Sequence, residues 1–143
     1  MRLAAIDIGT NSTRLLVADV ERDDAGINRV DELFRRSIVT RLGDKVDETG
    51  RLADDAQQRV FDGLARYRDE FTNAGAVRVG GVATSAVRDA ANGNEFIAEI
   101  DRRFGIAIQP IDGDREAQLT FAGACTGDAI GDEPTVVIDI GGG

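Results

Sequence analysis

The sequence contains no histidine, no tryptophan and a single cysteine, Cys125. These absences exclude a disulfide framework, a zinc site built from cysteine and histidine, and every catalytic triad that depends on histidine. The apolar runs are far shorter than the roughly 20 residues that a membrane-spanning helix needs. Lysine is also scarce, since Lys45 is the only one, and the formal net charge is −9. Such a chain lacks the basic surface that non-specific binding of nucleic acid or anionic membranes requires.

The chain does have enough apolar residues for a folded core. Its 143 residues, 42% of them hydrophobic, are sufficient for one domain. No secretory signal pattern opens the sequence, because Asp7 interrupts the first apolar segment, and we expect a cytoplasmic protein. Three glycines, Gly141, Gly142 and Gly143, directly follow the last apolar segment, which is unusual for a complete domain. We therefore expect the sequence to be a fragment of a longer protein.

The order of apolar patterns predicts a three-stranded β-meander followed by alternating helices and strands. Two strands joined by a glycine-containing turn are predicted in residues 1–20, and a third over 29–42. Apolar residues then recur at helical spacing over 52–73. The remaining predicted elements are strand 77–82, a short helix capped by Thr84 or Ser85 that runs through Ala91, a helix capped by Asn94, strand 106–108, a helix capped by Asp112 or Asp114, and strand 135–140. This order is typical of a mixed α/β sheet covered by helices.

The last two predicted elements carry marked apolar surfaces. Ala117, Phe121 and Ala124 share one face of the last helix. The final strand is apolar almost throughout, which is typical of a strand buried on both faces.

The turn after the first strand has the residue types of a phosphate site. Asp7 lies near the end of an apolar strand, and Gly9, Thr10, Asn11 and Ser12 follow. Glycine and short polar side chains let backbone N–H groups approach a phosphate, and a carboxylate beside them suits a divalent cation. The alternative is an ordinary hairpin turn in which the aspartate bonds to nearby backbone.

The same pattern, an apolar residue followed by Asp-Ile-Gly, returns at 138–141. There it is extended by Gly142 and Gly143, and consecutive glycines expose N–H groups without side chains that would block a ligand. The repetition favours a second phosphate loop over a flexible tail.

Two charged residues lie early in predicted helices that follow strands. Arg88 could hold two phosphate oxygens with its guanidinium, or it could simply pair with Asp89 or Asp112. Glu116 could take a proton from water when partly desolvated, or it could only complement the helix dipole as a first-turn acid. Local pattern alone favours the second alternative for each.

The order of these segments resembles the exopolyphosphatase/guanosine-pentaphosphate phosphatase (Ppx/GppA) family, within the actin–sugar kinase–Hsp70 superfamily. The resemblance covers essentially the whole chain and rests on five segments, DIGTNSTR (7–14), RLG (41–43), ATSAVRDA (83–90), GDREA (113–117) and DIGGG (139–143). It implies a ribonuclease H-like, actin-like ATPase domain, an α/β fold in which helices flank a mixed five-stranded sheet. Residues 1–143 would be the N-terminal phosphatase domain, one lobe of a two-lobed protein.

The resemblance also implies roles for individual residues. The phosphate-binding residues would be Gly9, Thr10, Asn11 and Ser12 in a first loop and Gly141, Gly142 and Gly143 in a second. Arg88 matches the family's phosphate-clamping arginine, and Glu116 matches the glutamate that acts as general base for the attacking water. Asp139 and Asp7 would hold a divalent cation, Mg²⁺ or another.

Two positions depart from the family's pattern. Thr10 stands where members commonly have serine, a change that keeps the hydroxyl. Arg115 stands where another glutamate often precedes the base, and it could favour the ionised form of Glu116 or point to solvent. The sequence also stops before the Ser-Thr-Glu that continues the family's second loop.

The activity that the resemblance implies is hydrolysis of the terminal phosphoanhydride bonds of inorganic polyphosphate, by metal-assisted, in-line attack of water. The alternatives are a guanosine pentaphosphate (pppGpp) 5'-phosphohydrolase and a non-catalytic regulatory module that binds phosphate or nucleotide. We expect the full-length protein to be a homodimer with polyphosphate or pppGpp as substrate and without nucleic-acid or membrane partners. We expect little activity from residues 1–143 alone, because the ligand of a two-lobed protein of this kind would lie between the lobes.

Overall fold

The order of the helices and strands follows the sequence-based expectation in the computed structural model, which describes residues 1–22, 28–125 and 136–138. The strands are β1 (Arg2–Ile8), β2 (Ser12–Arg22), β3 (Asn28–Val39), β4 (Arg78–Ala83) and β5 (Ala107–Pro110). The helices are α1 (Val46–Thr49), α2 (Asp54–Asn73), α3 (Ser85–Asp89), α4 (Gly93–Phe104) and α5 (Gly113–Ala124). The predicted β-meander and the helix at 52–73 are confirmed, whereas α1 was not predicted.

The five strands form one mixed sheet in the order β3-β2-β1-β4-β5. The pairs β1–β2 and β2–β3 are antiparallel, and the pairs β1–β4 and β4–β5 are parallel. A short turn joins β1 to β2, and the helices α3 and α4 lie along the chain between the parallel strands β4 and β5. The predicted mixed five-stranded sheet is therefore confirmed. Because β1, β4 and β5 run in the same direction, their carboxyl ends lie at the same end of the sheet.

The core lies between one face of the sheet and the helices α2 and α4. Strand residues alternate between faces, so that Ala4 and Ile6 of β1 are buried while Ala5 between them is exposed. The predicted apolar face of α2 is buried against this side of the sheet, and its members are Val60, Leu64, Tyr67 and Phe71. The helices thus pack against one face of the sheet, and this packing holds the strand ends in position.

The structure tests the residues that were predicted to cap three helices. Asp112 caps α5, since its Oδ1 accepts a hydrogen bond from the N–H of Arg115 at 2.7 Å. The prediction that Asn94 caps α4 is wrong, because Asn92 precedes this helix. The buried Asn92 amide exchanges two hydrogen bonds with the backbone of Leu52, at 2.8 and 3.0 Å, and so pins the chain where α4 begins. Thr84 precedes α3 but its side chain makes no capping bond among the described residues.

The apolar contacts predicted for the end of the chain are not found in its described part. All residues of α5 are described and none is buried, with Phe121 41% exposed. Of the strand predicted over 135–140, only 136–138 are described, and these form no strand and leave Val136 and Ile138 exposed. A strand forms by bonding to a neighbouring strand, and these three residues pair with none of β1–β5. No described helix is long and apolar enough to cross a membrane.

Candidate active site

Three loops meet where the parallel strands end. The N–H of Thr84, directly after β4, donates to the carbonyl of Ile8 at the end of β1 (3.2 Å). The N–H of Ile111, directly after β5, donates to the carbonyl of Ala83 (3.0 Å). These bonds bring the segments that follow β1, β4 and β5 side by side. Ligands of open α/β sheets commonly bind in this position, outside the carboxyl ends of the strands.

The three loops line an open cleft of about 1350 Å³. The cleft brings together predicted site residues from distant parts of the sequence, namely Asp7, Gly9, Thr10, Asn11, Ser12, Arg88 and Glu116. The other predicted site residues, Asp139, Gly141, Gly142 and Gly143, lie outside the described residues. The structure therefore shows that the first group shares one cleft, while the role of each residue stays a prediction.

Hydrogen bonds from residues 40–43 hold the loop of residues 9–12, which we call the 9–12 loop. The N–H groups of Thr40 and Arg41 both donate to the carbonyl of Asn11 (2.9 Å each), and the N–H of Gly43 donates to the carbonyl of Thr10 (2.8 Å). In a trans peptide the carbonyl and the following N–H point in opposite directions, so the N–H of Asn11 points away from residues 40–43. No described residue accepts a hydrogen bond from the N–H of Thr10 or Asn11. Within the described part of the chain, these two amides therefore have no acceptor, as a loop that receives an anion requires.

Two residues that the sequence did not single out also belong to the site. The hydroxyls of Thr10 and Ser85 lie 3.0 Å apart and share a hydrogen bond, which joins the 9–12 loop to the start of α3. Arg14 lies opposite Asp7 in the β1–β2 ladder, with 3.6 Å between Nη1 and Oδ2. Ser85 and Arg14 both line the cleft. The signals that could have found them were their places in the DIGTNSTR and ATSAVRDA segments.

Arg88 is held in place by its neighbours. Its Nε and Nη2 donate to the carboxylate of Asp89 (2.9 and 3.1 Å), and Nη1 donates to the carbonyl of Ile111 (3.2 Å). The hydrogen bonding to Asp89 raises the pKa of Arg88 above its ordinary value, burial opposes this, and the charges of Glu116 and Asp112 add to it. The predicted pairing with Asp89 is thus confirmed. The bonds to Asp89 and Ile111 together occupy three of the five N–H groups of the guanidinium, and the other two donate to no described residue.

Glu116 lies in the first turn of α5, directly after the segment that follows β5. Its side chain is half-buried in the wall of the cleft, and no described residue donates a hydrogen bond to its carboxylate. Arg115 is exposed and donates instead to Gln118, with 3.2 Å between Nη1 and Oε1. Of the two alternatives for Arg115, the structure favours the one in which it points to solvent. The Glu116 carboxylate remains available to accept a proton or bind water.

The donor atoms of the cleft are those that a hard divalent cation prefers. Within the described residues, no three acidic or cysteine side chains lie close enough together to form a complete metal site. Asp7 supplies one carboxylate to the cleft, and the hydroxyls of Thr10 and Ser85 lie nearby. Oxygen atoms of this kind fit Mg²⁺, so the chemistry of the cleft is compatible with the predicted cation.

Comparison with known proteins places this chain in a family of phosphatases. Residues 16–143 match the model of the Ppx/GppA phosphatase family. The chain is 42% identical to exopolyphosphatase 2 of Mycobacterium tuberculosis, over 99% of this chain and 46% of that protein. It is 34% identical to guanosine-5'-triphosphate,3'-diphosphate pyrophosphatase of Vibrio cholerae, over 97% of this chain and 27% of that protein.

Solved structures agree with the sequence comparisons. The crystal structure of the Aquifex aeolicus Ppx/GppA family member superposes with a TM-score of 0.78 and 32% identity, covering 88% of this chain and 40% of that one. An exopolyphosphatase from Cytophaga hutchinsonii gives the same TM-score and identity over 87% of this chain and 38% of that one. The domain therefore has the actin-like fold of these phosphatases. The chain belongs to the Ppx/GppA phosphatase family and spans less than half the length of the curated relatives quoted above.

Proposed function

We propose that the full-length protein releases orthophosphate from the ends of inorganic polyphosphate by hydrolysing terminal phosphoanhydride bonds. The observation that supports this most is that the 9–12 loop, Arg88 and Glu116 line one open cleft at the ends of the parallel strands. Family membership supports phosphate chemistry, and the name of the Mycobacterium tuberculosis relative supports polyphosphate. Because the chain spans less than half of that relative, the proposal concerns a longer protein in which residues 1–143 are the N-terminal domain.

The terminal phosphate is bound by groups that are already in position before it arrives. The amides of Thr10 and Asn11 and the two remaining N–H groups of Arg88 donate to its oxygens. Phosphoryl transfer depends mainly on positioning and on neutralising charge, and fixed donors supply both without reorganising during the reaction. A divalent cation held by Asp7 and Asp139 would neutralise further phosphate charge when bound.

Glu116 acts as the general base for the attacking water. Its carboxylate lines the cleft without a hydrogen-bond donor among the described residues, so it is free to accept a proton from water. The water oxygen forms a bond to the terminal phosphorus as the bond from that phosphorus to the bridging oxygen breaks. Orthophosphate and a polyphosphate shorter by one unit leave, and the proton passes to Glu116.

Hydrolysis of pppGpp is the second candidate function. The name of the Vibrio cholerae relative, a guanosine-5'-triphosphate,3'-diphosphate pyrophosphatase, favours it. The same phosphate-binding groups and the same base would serve this substrate, whose terminal bond is also a phosphoanhydride. The two functions therefore differ in substrate and not in chemistry.

Release of orthophosphate from long-chain polyphosphate and from pppGpp, measured side by side with Mg²⁺, tests the proposal in the full-length protein. We expect faster release from polyphosphate. Faster release from pppGpp would establish the second candidate instead. No release from either substrate would contradict both and leave the regulatory module, which binds without turnover.

A further inference from the structure

Gly43 lies against the 9–12 loop although it is not among the described residues that line the cleft. A Cβ built on Gly43 would stand 2.3 Å from Cγ2 of Thr10, closer than real Cβ atoms come to any neighbour. The next nearest atoms, Cβ of Thr10 and Cβ of Ala86, would both lie at 3.4 Å, an ordinary contact. Gly43 does not have a positive φ, so its backbone does not require glycine. What excludes a side chain at position 43 is the γ-methyl group of Thr10.

The position of this methyl group determines the position of the Thr10 hydroxyl. Threonine carries both groups on Cβ, and they occupy staggered positions about 120° apart. With the methyl beside Gly43, the hydroxyl lies 3.0 Å from the hydroxyl of Ser85. A rotation of χ1 that moved the methyl away from residue 43 would also move the hydroxyl away from Ser85. The hydrogen bond between the 9–12 loop and α3 therefore depends on the space at Gly43.

We propose that Gly43 is a positioning residue that fixes the rotamer of Thr10 and thereby the distance between the 9–12 loop and α3. Arg88 lies on α3, so this distance also sets the spacing between the loop amides and the guanidinium that bind one phosphate. The consequence for phosphate binding rests on the proposed function, whereas the effect on the Thr10 rotamer does not. Residues 10 and 43 are thus coupled, because threonine at 10 requires glycine at 43 and serine at 10 does not.

Three variants test the coupling, namely Gly43→Ala, Thr10→Ser and the double variant. Gly123→Ala is the matched control, since a Cβ at this exposed position of α5 would meet no described atom within 4 Å. The χ1 rotamer of Thr10, measured by NMR three-bond couplings in the full-length protein without ligand, should change in Gly43→Ala and not in the control. The affinity of the full-length protein for tripolyphosphate should fall about tenfold in Gly43→Ala. The double variant should bind as Thr10→Ser alone does, because serine lacks the methyl group.

Each outcome decides the proposal. An unchanged Thr10 rotamer in Gly43→Ala, or a double variant that binds no better than Gly43→Ala, would overturn it. If Gly43→Ala does not fold, folding of the double variant supports the proposal, and failure of both to fold contradicts it. If the unaltered protein does not bind tripolyphosphate, the proposed function fails, and the rotamer measurement still decides the role of Gly43.

Discussion

At the scale of single residues, Tyr67 connects helix α2 to the sheet. Its side chain is only 1% exposed, and its hydroxyl donates to the carbonyl of Thr13 at 2.8 Å. Burial, together with the negative charge of Glu70, raises the pKa of Tyr67 from 10.0 to about 12, although Arg36 opposes the shift. The folded state therefore holds this proton more tightly than the unfolded state does.

This shift predicts a loss of stability in alkaline solution. Below pH 10 the tyrosine is protonated in both states, and between pH 10 and about 12 only the unfolded state releases the proton, so stability falls over that window. Tyr67→Phe should cost about 1 kcal/mol near neutral pH, because the hydrogen bond is lost, but should reduce the alkaline decline. Urea unfolding of both proteins from pH 7 to 12 measures the two effects. An equally steep decline in the variant would show that Tyr67 is not responsible.

Some residues of the site could be predicted from the sequence and others could not, for a physical reason. Arg88 and Glu116 follow predicted strands closely, and the ends of parallel strands meet in three dimensions. The contributions of Gly43 and Ser85 depend on contacts with Thr10 across 33 and 75 positions of the chain. A glycine that is required for space looks like any other glycine until its spatial neighbour is known.

At the scale of elements, the junction between α3 and α4 leaves no room for a side chain. Gly93, the first residue of α4, is buried, and a Cβ on it would lie 1.9 Å from the carbonyl oxygen of Val87. Because this atom belongs to the backbone, the two helices would have to move apart. The close approach keeps α3, and with it Arg88, in a fixed position.

Gly93→Ala should therefore destabilise the chain by about 1–3 kcal/mol or more. Gly123→Ala, again the control, adds the same methyl group in open space on a helix and should be neutral or stabilising by about 0.4–1 kcal/mol. Urea unfolding midpoints at constant m-value compare the two. Equal midpoints would contradict the close packing of α3 and α4.

The strength of the periodic signal separates the elements that were predicted from those that were not. The 20 residues of α2 repeat the helical pattern many times, and the β-meander has apolar runs on both sides of its first turn. Helix α1 has only four residues, and Lys45 before it has a left-handed backbone (φ 61°), so too few positions carry a pattern. The segment 135–140 has a strong strand pattern, yet pattern alone does not specify a partner strand.

At the scale of the whole molecule, the net charge of −9 and a polyanionic substrate are compatible. Surface charges act over about 8 Å at physiological ionic strength, so distant carboxylates are largely screened from the cleft. Inside the cleft, the loop amides and Arg88 present donors to an anion, and Arg14 adds a second guanidinium. For a phosphate bound in the cleft as proposed, the charge around it would matter more than the sum over the chain.

The most direct test of the central claim compares Glu116→Gln with Asp114→Asn in the full-length protein. Both variants lose a carboxylate from the first turn of α5, but only Glu116 lines the cleft. Glu116→Gln should lower the rate of orthophosphate release from polyphosphate by about 10²–10⁴-fold while polyphosphate still binds, because a general base contributes that factor. Asp114→Asn should keep the rate. Release by Glu116→Gln at the rate of the unaltered protein would contradict the assignment of the base and of the cleft as the active site.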